Sequence, residues 1–172
     1  MTKAERFQQT RERFITQWGA LGTQWGINRT MAMVHALLLV SPDPLTTDEV
    51  MEQLQVSRGN ANTNLRELVA WGLLRIVPKK GDRRDFYEAE KDTWKMFCTI
   101  ARERKRRETE PALALLRECA EQTDDIASAE AREFNARVSD LADFVALANT
   151  VMDKVASAKD SSIAPKVLKL LG

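Results

Sequence analysis

The chain has 172 residues, of which 44% are hydrophobic and 30% are charged, and its formal net charge is +1. This length suits one domain, or one small domain with an oligomerisation element, and the charged fraction is typical of a soluble protein. The longest apolar run, at residues 31–40, is too short to span a bilayer, and the first residues contain no apolar export signal, so we expect a cytoplasmic protein without a membrane partner.

Three helices are predicted in the first third of the chain. Apolar residues spaced by threes and fours predict a helix over residues 3–24. A second helix is predicted over residues 29–40, and the sequence Ser-Pro-Asp-Pro at residues 41–44 ends it in a turn. Thr46 or Thr47 can cap a third, short helix, whose first-turn acidic residues suit the helix dipole.

A fourth helix and a β-hairpin follow. Ser57 is the predicted N-cap of this helix, apolar residues recur along it, and Gly72 ends it. Branched residues at 73–77 predict a strand, and residues 85–90 predict a second strand that returns from the basic turn Pro-Lys-Lys-Gly-Asp-Arg-Arg. Helix, three-residue turn, helix and basic hairpin together predict a winged helix-turn-helix.

The second half of the chain is predicted to be helical. A long helix is expected over residues 92–122, with Pro111 kinking or breaking it, and a short helix is expected over residues 163–172. Between them, seven apolar residues with heptad spacing predict a helix that packs along another helix, which we assign to dimerisation. These residues are Phe134, Val138, Leu141, Val145, Ala148, Met152 and Val155.

The fourth helix has a polar outward side. At about 100° per residue, Ala61, Leu65 and Leu68 define its buried direction, whereas Thr63 and Arg66 point the opposite way. The start of this helix and the tip of the hairpin carry the side chains that we predict to contact DNA. They are Ser57, Arg58, Gly59, Asn60, Asn62, Thr63, Asn64, Arg66, Lys79, Lys80, Arg83 and Arg84.

The chemistry of these residues suits a recognition helix that enters the major groove. Asn can pair with adenine through two hydrogen bonds, Arg can do the same with guanine, and Thr can contact either a base edge or a thymine methyl. The residues expected to face bases are Asn60, Asn62, Thr63 and Arg66. Gly59 would allow close approach to the DNA backbone, while Ser57, Arg58 and the hairpin tip are expected to bind phosphates.

The charge distribution supports a basic binding surface. Residues 58–107 contain 14 Lys or Arg and 7 Asp or Glu, a surplus of seven positive charges that leaves the rest of the chain with a surplus of six negative charges. The basic run at residues 102–107 can bind RNA or anionic lipid, but we favour a position that flanks DNA or an exposed helix face.

The segments WGINRT, SRGNANTNLRELVAWGL and GDRRDFYEAEKD resemble the GbsR-type branch of the MarR superfamily of transcriptional regulators. The resemblance covers about residues 14–107. It implies a dimeric winged-helix regulator, generally a repressor, whose DNA affinity small molecules modulate. It also implies that the helix from Ser57 is the recognition helix and that residues 79–84 form the wing tip.

Members of this branch that act as osmoprotectant regulators sense choline or glycine betaine, whose quaternary ammonium needs an aromatic cage. The candidate residues for such a cage are Trp18, Trp25, Trp71, Phe86, Tyr87, Trp94 and Phe97. Because aromatic residues at helical spacing are more often core residues, both interpretations stay open for them.

The predicted fold class is mainly α with a small β-hairpin wing, that is, a winged helix-turn-helix with helical dimerisation elements. Residues 1–27 are predicted as an N-terminal helix for dimerisation or packing, residues 28–92 as the DNA-binding domain and residues 93–172 as a helical dimerisation region. The expected partners are a double-stranded DNA operator, a second copy of the chain and, as the resemblance implies, a small-molecule effector. Two recognition helices must lie about 34 Å apart to meet successive major grooves, which favours a homodimer.

Neither an enzyme nor a metal or cofactor site is expected. The sequence has no nucleophile motif, glycine-rich phosphate loop or metal-ligand spacing, and its single histidine, His35, lies in an apolar helix. Cys98 and Cys119 are expected to be free thiols. The main rival hypothesis is a winged-helix protein–protein interaction module that does not read DNA.

Overall fold

A computed structural model describes residues 1–157, which form seven α-helices, one π-helical turn and three short strands. In chain order the elements are α1 (Lys3–Gln24), α2 (Arg29–Val40), β1 (Leu45–Thr46), α3 (Thr47–Leu54), α4 (Arg58–Trp71), β2 (Leu74–Val77), β3 (Phe86–Ala89), α5 (Thr93–Arg104), the π-helical turn (Lys105–Thr109), α6 (Glu110–Thr123) and α7 (Ala129–Ala156). They make two compact units, Met1–Thr93 and the part that begins at Trp94. The predicted fold class is confirmed, and the helix predicted at residues 163–172 lies outside the described residues.

The helix boundaries of the first unit follow from their capping residues. Thr2 and Thr46 start α1 and α3, and each forms a capping box with a Glu three residues later. Asn28 and Ser57 start α2 and α4 by accepting a hydrogen bond from a backbone N–H. Gly72 ends α4 in the left-handed conformation, with φ of 79°. The bounds predicted for α1 and α2 are confirmed.

Helix α2 lies at the centre of the first unit. Val34, Ala36 and Leu37 have no exposed surface, and the helix packs against α1, α3, α4 and β3. Helix α1 approaches α2 closely because Gly22 has no side chain. A Cβ at Gly22 would lie 2.5 Å from Cβ of Ala32, which is closer than two non-bonded carbons can come.

The strands form an antiparallel sheet in the order β1-β3-β2. In the predicted hairpin Val77 pairs with Phe86, and Gly81 at its tip has φ of 85°, a conformation that glycine adopts without strain. Strand β1 was not predicted, because two residues are too few to show alternation. It adds Leu45 opposite Tyr87 and connects the sheet directly to the start of α3.

The interruption predicted near Pro111 is confirmed, and it takes the form of the π-helical turn that precedes α6. Proline has no N–H for the carbonyl group of Arg107, four residues earlier, and its ring would collide with that carbonyl. A widened π turn avoids both problems.

In the second unit α7 packs against α6 and the π-helical turn through residues spaced by seven. Asn135 Nδ2 donates to the carbonyl oxygen of Ala120 at 2.6 Å, and Asn149 Oδ1 accepts from Thr109 Oγ1 at 2.6 Å. Ala142 between them is buried. This packing stripe is different from the predicted heptad seam.

The predicted seam lies beside that stripe. Phe134 and Leu141 are exposed, while the four residues that follow the same heptad spacing are half-buried, namely Val138, Val145, Ala148 and Met152. The side chain of Val155 is outside the described part of the structure. A broad apolar face of α7 is therefore exposed in the chain, and it consists of Phe134, Leu141, Phe144, Leu147 and Val151.

Candidate nucleic-acid interface

Helix α4 is held by its apolar face. Ala61 and Leu65 have no exposed surface, Leu68 is 1% exposed, and the helix packs against α2, α3 and β2. The buried direction predicted from the helical wheel is therefore the observed one. This anchoring leaves the opposite face of α4 available for contacts.

The outward face of α4 carries Thr63 and Arg66. Both are exposed, and neither side chain makes a hydrogen bond or ion pair within residues 1–157. Gly59 is also exposed, and a Cβ built there would meet no atom within 4 Å. These three positions form an open surface on α4.

Three other predicted contact residues are tied to neighbouring helices. Arg58 Nη2 lies 2.5 Å from Oδ1 of Asp48 in α3. Asn62 Oδ1 accepts a hydrogen bond from Thr47 Oγ1 at 3.4 Å, and Asn62 is half-buried. Asn60 remains exposed, but its amide nitrogen donates to Thr30 Oγ1. Part of the hydrogen-bonding capacity of these three side chains is therefore used by contacts within the protein.

Asn64 does not belong to the exposed surface, so its predicted role as a direct DNA contact is wrong. It is only 4% exposed and lies on the buried side of α4, next to Leu65. Its amide nitrogen is satisfied by the carbonyl oxygen of Asn60, one turn earlier. Such bonding within the helix explains how a polar side chain is tolerated there.

Ser57 acts first as a helix cap. Its Oγ accepts a hydrogen bond from the backbone N–H of Asn60 at 3.3 Å. Because a hydroxyl can accept and donate at once, this leaves its proton for a phosphate oxygen beside the positive end of α4.

Asp82 and Phe86 fix the positions of two of the wing-tip cations. Neither residue was predicted to belong to the DNA interface. Arg84 donates to Asp82 from Nε at 3.0 Å and from Nη2 at 2.6 Å, and Asp82 Oδ1 also accepts from the backbone N–H of Arg84. Hydrogen bonds from Arg84 lower the pKa of Asp82 to about 2. This pairing keeps Asp82 ionised and gives the turn a fixed shape.

The four cations of the wing fall into two pairs. Lys79 Nζ lies 5.1 Å and Arg84 Cζ 5.6 Å from the centre of the Phe86 ring, so one aromatic ring orients both. Lys80 and Arg83 are exposed, and within the described residues their side chains make no hydrogen bond or ion pair. The second pair is the one available for phosphates.

Helix α4 and the wing share a concavity of about 450 Å³. Arg58 and Arg66 from α4 and Arg84 from the wing line it, together with Asp48 and Asp85. Three guanidinium groups around one concavity suit a polyanionic ligand such as a nucleic-acid backbone.

Two of the five cations in the basic run at residues 102–107 form ion pairs with acidic residues of the second unit. Arg106 is paired with Glu103 at 2.5 Å, which raises the pKa of Arg106, and Lys105 Nζ lies 2.8 Å from Asp153. Arg102 donates to Thr99. These pairings favour a structural role over a free RNA or lipid surface.

The candidate ligand aromatics occur as separate groups. The ring of Trp18 contacts that of Phe14 in a tilted arrangement and that of Trp25 edge to face, all in the first unit. Trp94 and Phe97 stack at 5.5 Å in the second unit. Among the other candidates, Tyr87 and Phe86 are buried in the sheet and Trp71 is half-buried at the end of α4. A ligand cage therefore stays a prediction.

No group of three or more potential metal-ligating residues occurs within residues 1–157. In the same part of the chain, no helix has both the length and the apolar character that crossing a membrane requires.

The sequence model of the MarR family matches residues 25–85. Two curated relatives from Bacillus subtilis (strain 168) are each 26% identical over 93 residues, or 54% of this chain. They are the putative HTH-type transcriptional regulator YvaV, matched over 52% of its length, and the HTH-type transcriptional repressor GbsR, matched over 51%. The chain thus spans about half the length of these relatives. A crystal structure of a transcriptional regulator shares the fold, with a TM-score of 0.67 at 19% identity, over 86% of this chain and 96% of that one.

Proposed function

We propose that residues 25–85, which the model of the MarR family matches, form a DNA-binding domain of that family, and that the chain is a sequence-specific DNA-binding transcriptional regulator that acts as a homodimer. The observation that carries the proposal is the outward face of α4. Arg66 and Thr63 are exposed there and make no side-chain hydrogen bond or ion pair within residues 1–157, and Arg66 lines the same concavity as Arg84 of the wing. This arrangement offers base-reading groups on a helix, and the exposed Lys80 and Arg83 of the same wing offer phosphate-binding groups beside it.

Repression is the proposed mode of regulation. It is supported by the relative GbsR, whose name describes it as a transcriptional repressor. A compact regulator that covers its operator excludes other proteins from that DNA, and it needs no further surface to do so.

Dimerisation is proposed through the exposed apolar face of α7. This helix has 28 residues, so it is about 42 Å long. Phe144 is 67% exposed and Leu147 is 64% exposed. Burying large apolar side chains like these stabilises a protein, and that stabilisation is missing while they stay in water. A second copy of α7 would cover them.

DNA binding is tested with fragments that the full chain selects from genomic DNA, by fluorescence anisotropy between about 50 and 200 mM salt. Affinity should fall steeply with salt because bound phosphates release counterions. An affinity for the selected fragments that does not change with salt would instead favour the protein–protein module.

Sequence reading is tested with the Arg66→Ala/Asn62→Ala double variant. We expect it to lose the preference for selected over random DNA while it remains folded. Arg75→Ala is the matched control, because Arg75 is an exposed arginine paired with Glu88 and does not line the concavity. Unchanged selectivity in the double variant would refute the assigned face.

A further inference from the structure

We propose that Asn64 is a positioning residue that fixes Asn60 as a hydrogen-bond donor toward the bases. Asn60 would then recognise acceptor atoms, such as guanine O6 and N7 or thymine O4, and would not pair with adenine through both ends of its amide. The inference rests on the proposed DNA-binding function and names the chemistry that one position of the operator must offer.

The orientation of both amides follows from one backbone carbonyl. Asn64 is 4% exposed, and its Nδ2 lies 2.8 Å from the carbonyl oxygen of Asn60 and 2.6 Å from Asn60 Oδ1. Since a carbonyl oxygen can only accept, the Asn64 atom that faces it must be the nitrogen. The Asn60 atom that receives the second bond is therefore its oxygen.

The nitrogen of Asn60 is turned away from Asn64. It donates to Thr30 Oγ1 of α2 at 3.4 Å, and Asn60 as a whole is exposed. An amide nitrogen carries two hydrogens, so one donor remains after the contact with Thr30. The free group that Asn60 offers to a ligand is an N–H.

This arrangement conflicts with bidentate adenine recognition. That pairing needs the amide oxygen to accept from adenine N6 while the nitrogen donates to N7. Here the Asn60 oxygen faces Asn64 in a part-buried 2.6 Å hydrogen bond, and turning it toward a base would remove one of the two acceptors that Asn64 Nδ2 has within residues 1–157. Asn60 is consequently restricted to donation.

The first test compares base preferences of the full chain on a randomised DNA library for the wild type, Asn60→Ala and Asn64→Leu. The operator position read by Asn60 is the one whose preference Asn60→Ala removes. We expect a preference of about tenfold there in the wild type, and Asn64→Leu should reduce it to near equality. Preferences at other positions and the salt dependence should not change, and adding Asn64→Leu to Asn60→Ala should cause no further loss there.

Two results would overturn the inference. One is an unchanged preference at that position in Asn64→Leu. The other is a preference for adenine that is lost when adenine is replaced by purine, which lacks the 6-amino group, because this would show that the Asn60 oxygen accepts from the base.

A second test needs no DNA. Three-bond NMR couplings across the Cα–Cβ bond of Asn60 should report one side-chain rotamer in the wild type and averaging in Asn64→Leu and Asn64→Asp. Averaging already in the wild type would overturn the positioning role itself. A fixed rotamer with no sequence-selective binding by the wild type would instead overturn the proposed function.

Discussion

Lys91 Nζ lies 2.7 Å from the carbonyl oxygen of Leu38, in the last turn of α2, and makes equally short contacts with the carbonyl oxygens of Leu39 and Ser41. A helix leaves its last four carbonyl groups without partners inside the helix. Ser41 Oγ donates to the carbonyl of Leu37, so this serine and one lysine satisfy three of the four. The segment after the wing is thereby attached to the end of the central helix.

Lys91→Met should lower the free energy of unfolding by about 1–2 kcal/mol, because it removes charge-assisted hydrogen bonds and a cation from a helix C-terminus. Urea titration followed by circular dichroism measures the change. Lys80→Met is the control, since Lys80 is an exposed wing lysine without a side-chain hydrogen bond or ion pair in residues 1–157. Equal losses in the two variants would contradict the role given to Lys91.

His35 should make the protein less stable as the pH falls from 6.5 toward 4. Burial, with repulsion from Lys91, lowers the pKa of His35 to about 4, whereas the unfolded chain takes up this proton near pH 6.5. In that interval the unfolded state binds more protons, so acidification favours it, by up to about 3 kcal/mol. Chemical denaturation of wild type and His35→Leu across this pH range tests this, because the stability of His35→Leu should fall less between pH 6.5 and 4, whereas above pH 7 the difference between the two proteins should no longer change with pH.

At neutral pH His35→Leu should be as stable as the wild type or more stable. Nε2 of His35 is buried and has no hydrogen-bond partner in the described structure, and removing such a group avoids its desolvation cost. Parallel pH profiles for the two proteins would show that His35 does not cause the acid sensitivity.

Asp82→Asn should reduce discrimination between selected and random DNA by about tenfold, the scale of a lost charge-assisted hydrogen bond. The variant loses the carboxylate that holds Arg84, while its added positive charge strengthens non-specific binding. Competition binding measures both quantities. Asp85→Asn makes the same charge change on the wing, and if it reduces discrimination equally, charge rather than the Arg84 contact is responsible.

Phe144→Ala combined with Leu147→Ala should shift the chain toward monomer at micromolar concentration, because it removes two large side chains from the exposed face of α7. Sedimentation velocity measures the distribution. Thr150→Ala changes an exposed polar residue of the same helix and should leave the dimer intact. A wild-type chain that sediments as a monomer would contradict the proposed dimer.

The helices of the first unit could be predicted because capping residues such as Thr46 and Ser57 mark their ends and apolar periodicity marks their inner faces. The burial of Asn64 could not, since a polar residue beside the apolar stripe is satisfied by a carbonyl one turn earlier. In α7 apolar spacing identified the helix but not its packing stripe. That stripe includes Asn135 and Asn149, whose partners lie on other elements and are not visible in local sequence.

The role of Asp82 also escaped prediction, because the basic turn was interpreted by its positive charges alone. A carboxylate two residues before Arg84 bonds both its backbone and its side chain. Only the three-dimensional turn shows that this acid holds the Arg84 side chain.

Gly59 is a position in α4 at which substitutions could be used to engineer new operator specificity. Replacing a glycine within a helix by alanine usually stabilises the helix by about 0.5–1 kcal/mol, and nothing within 4 Å obstructs an added Cβ here. A side chain introduced at this position would project from the outward face without disturbing the core. A small library at Gly59 could therefore yield regulators that choose different DNA sequences while they fold at least as well as the parent.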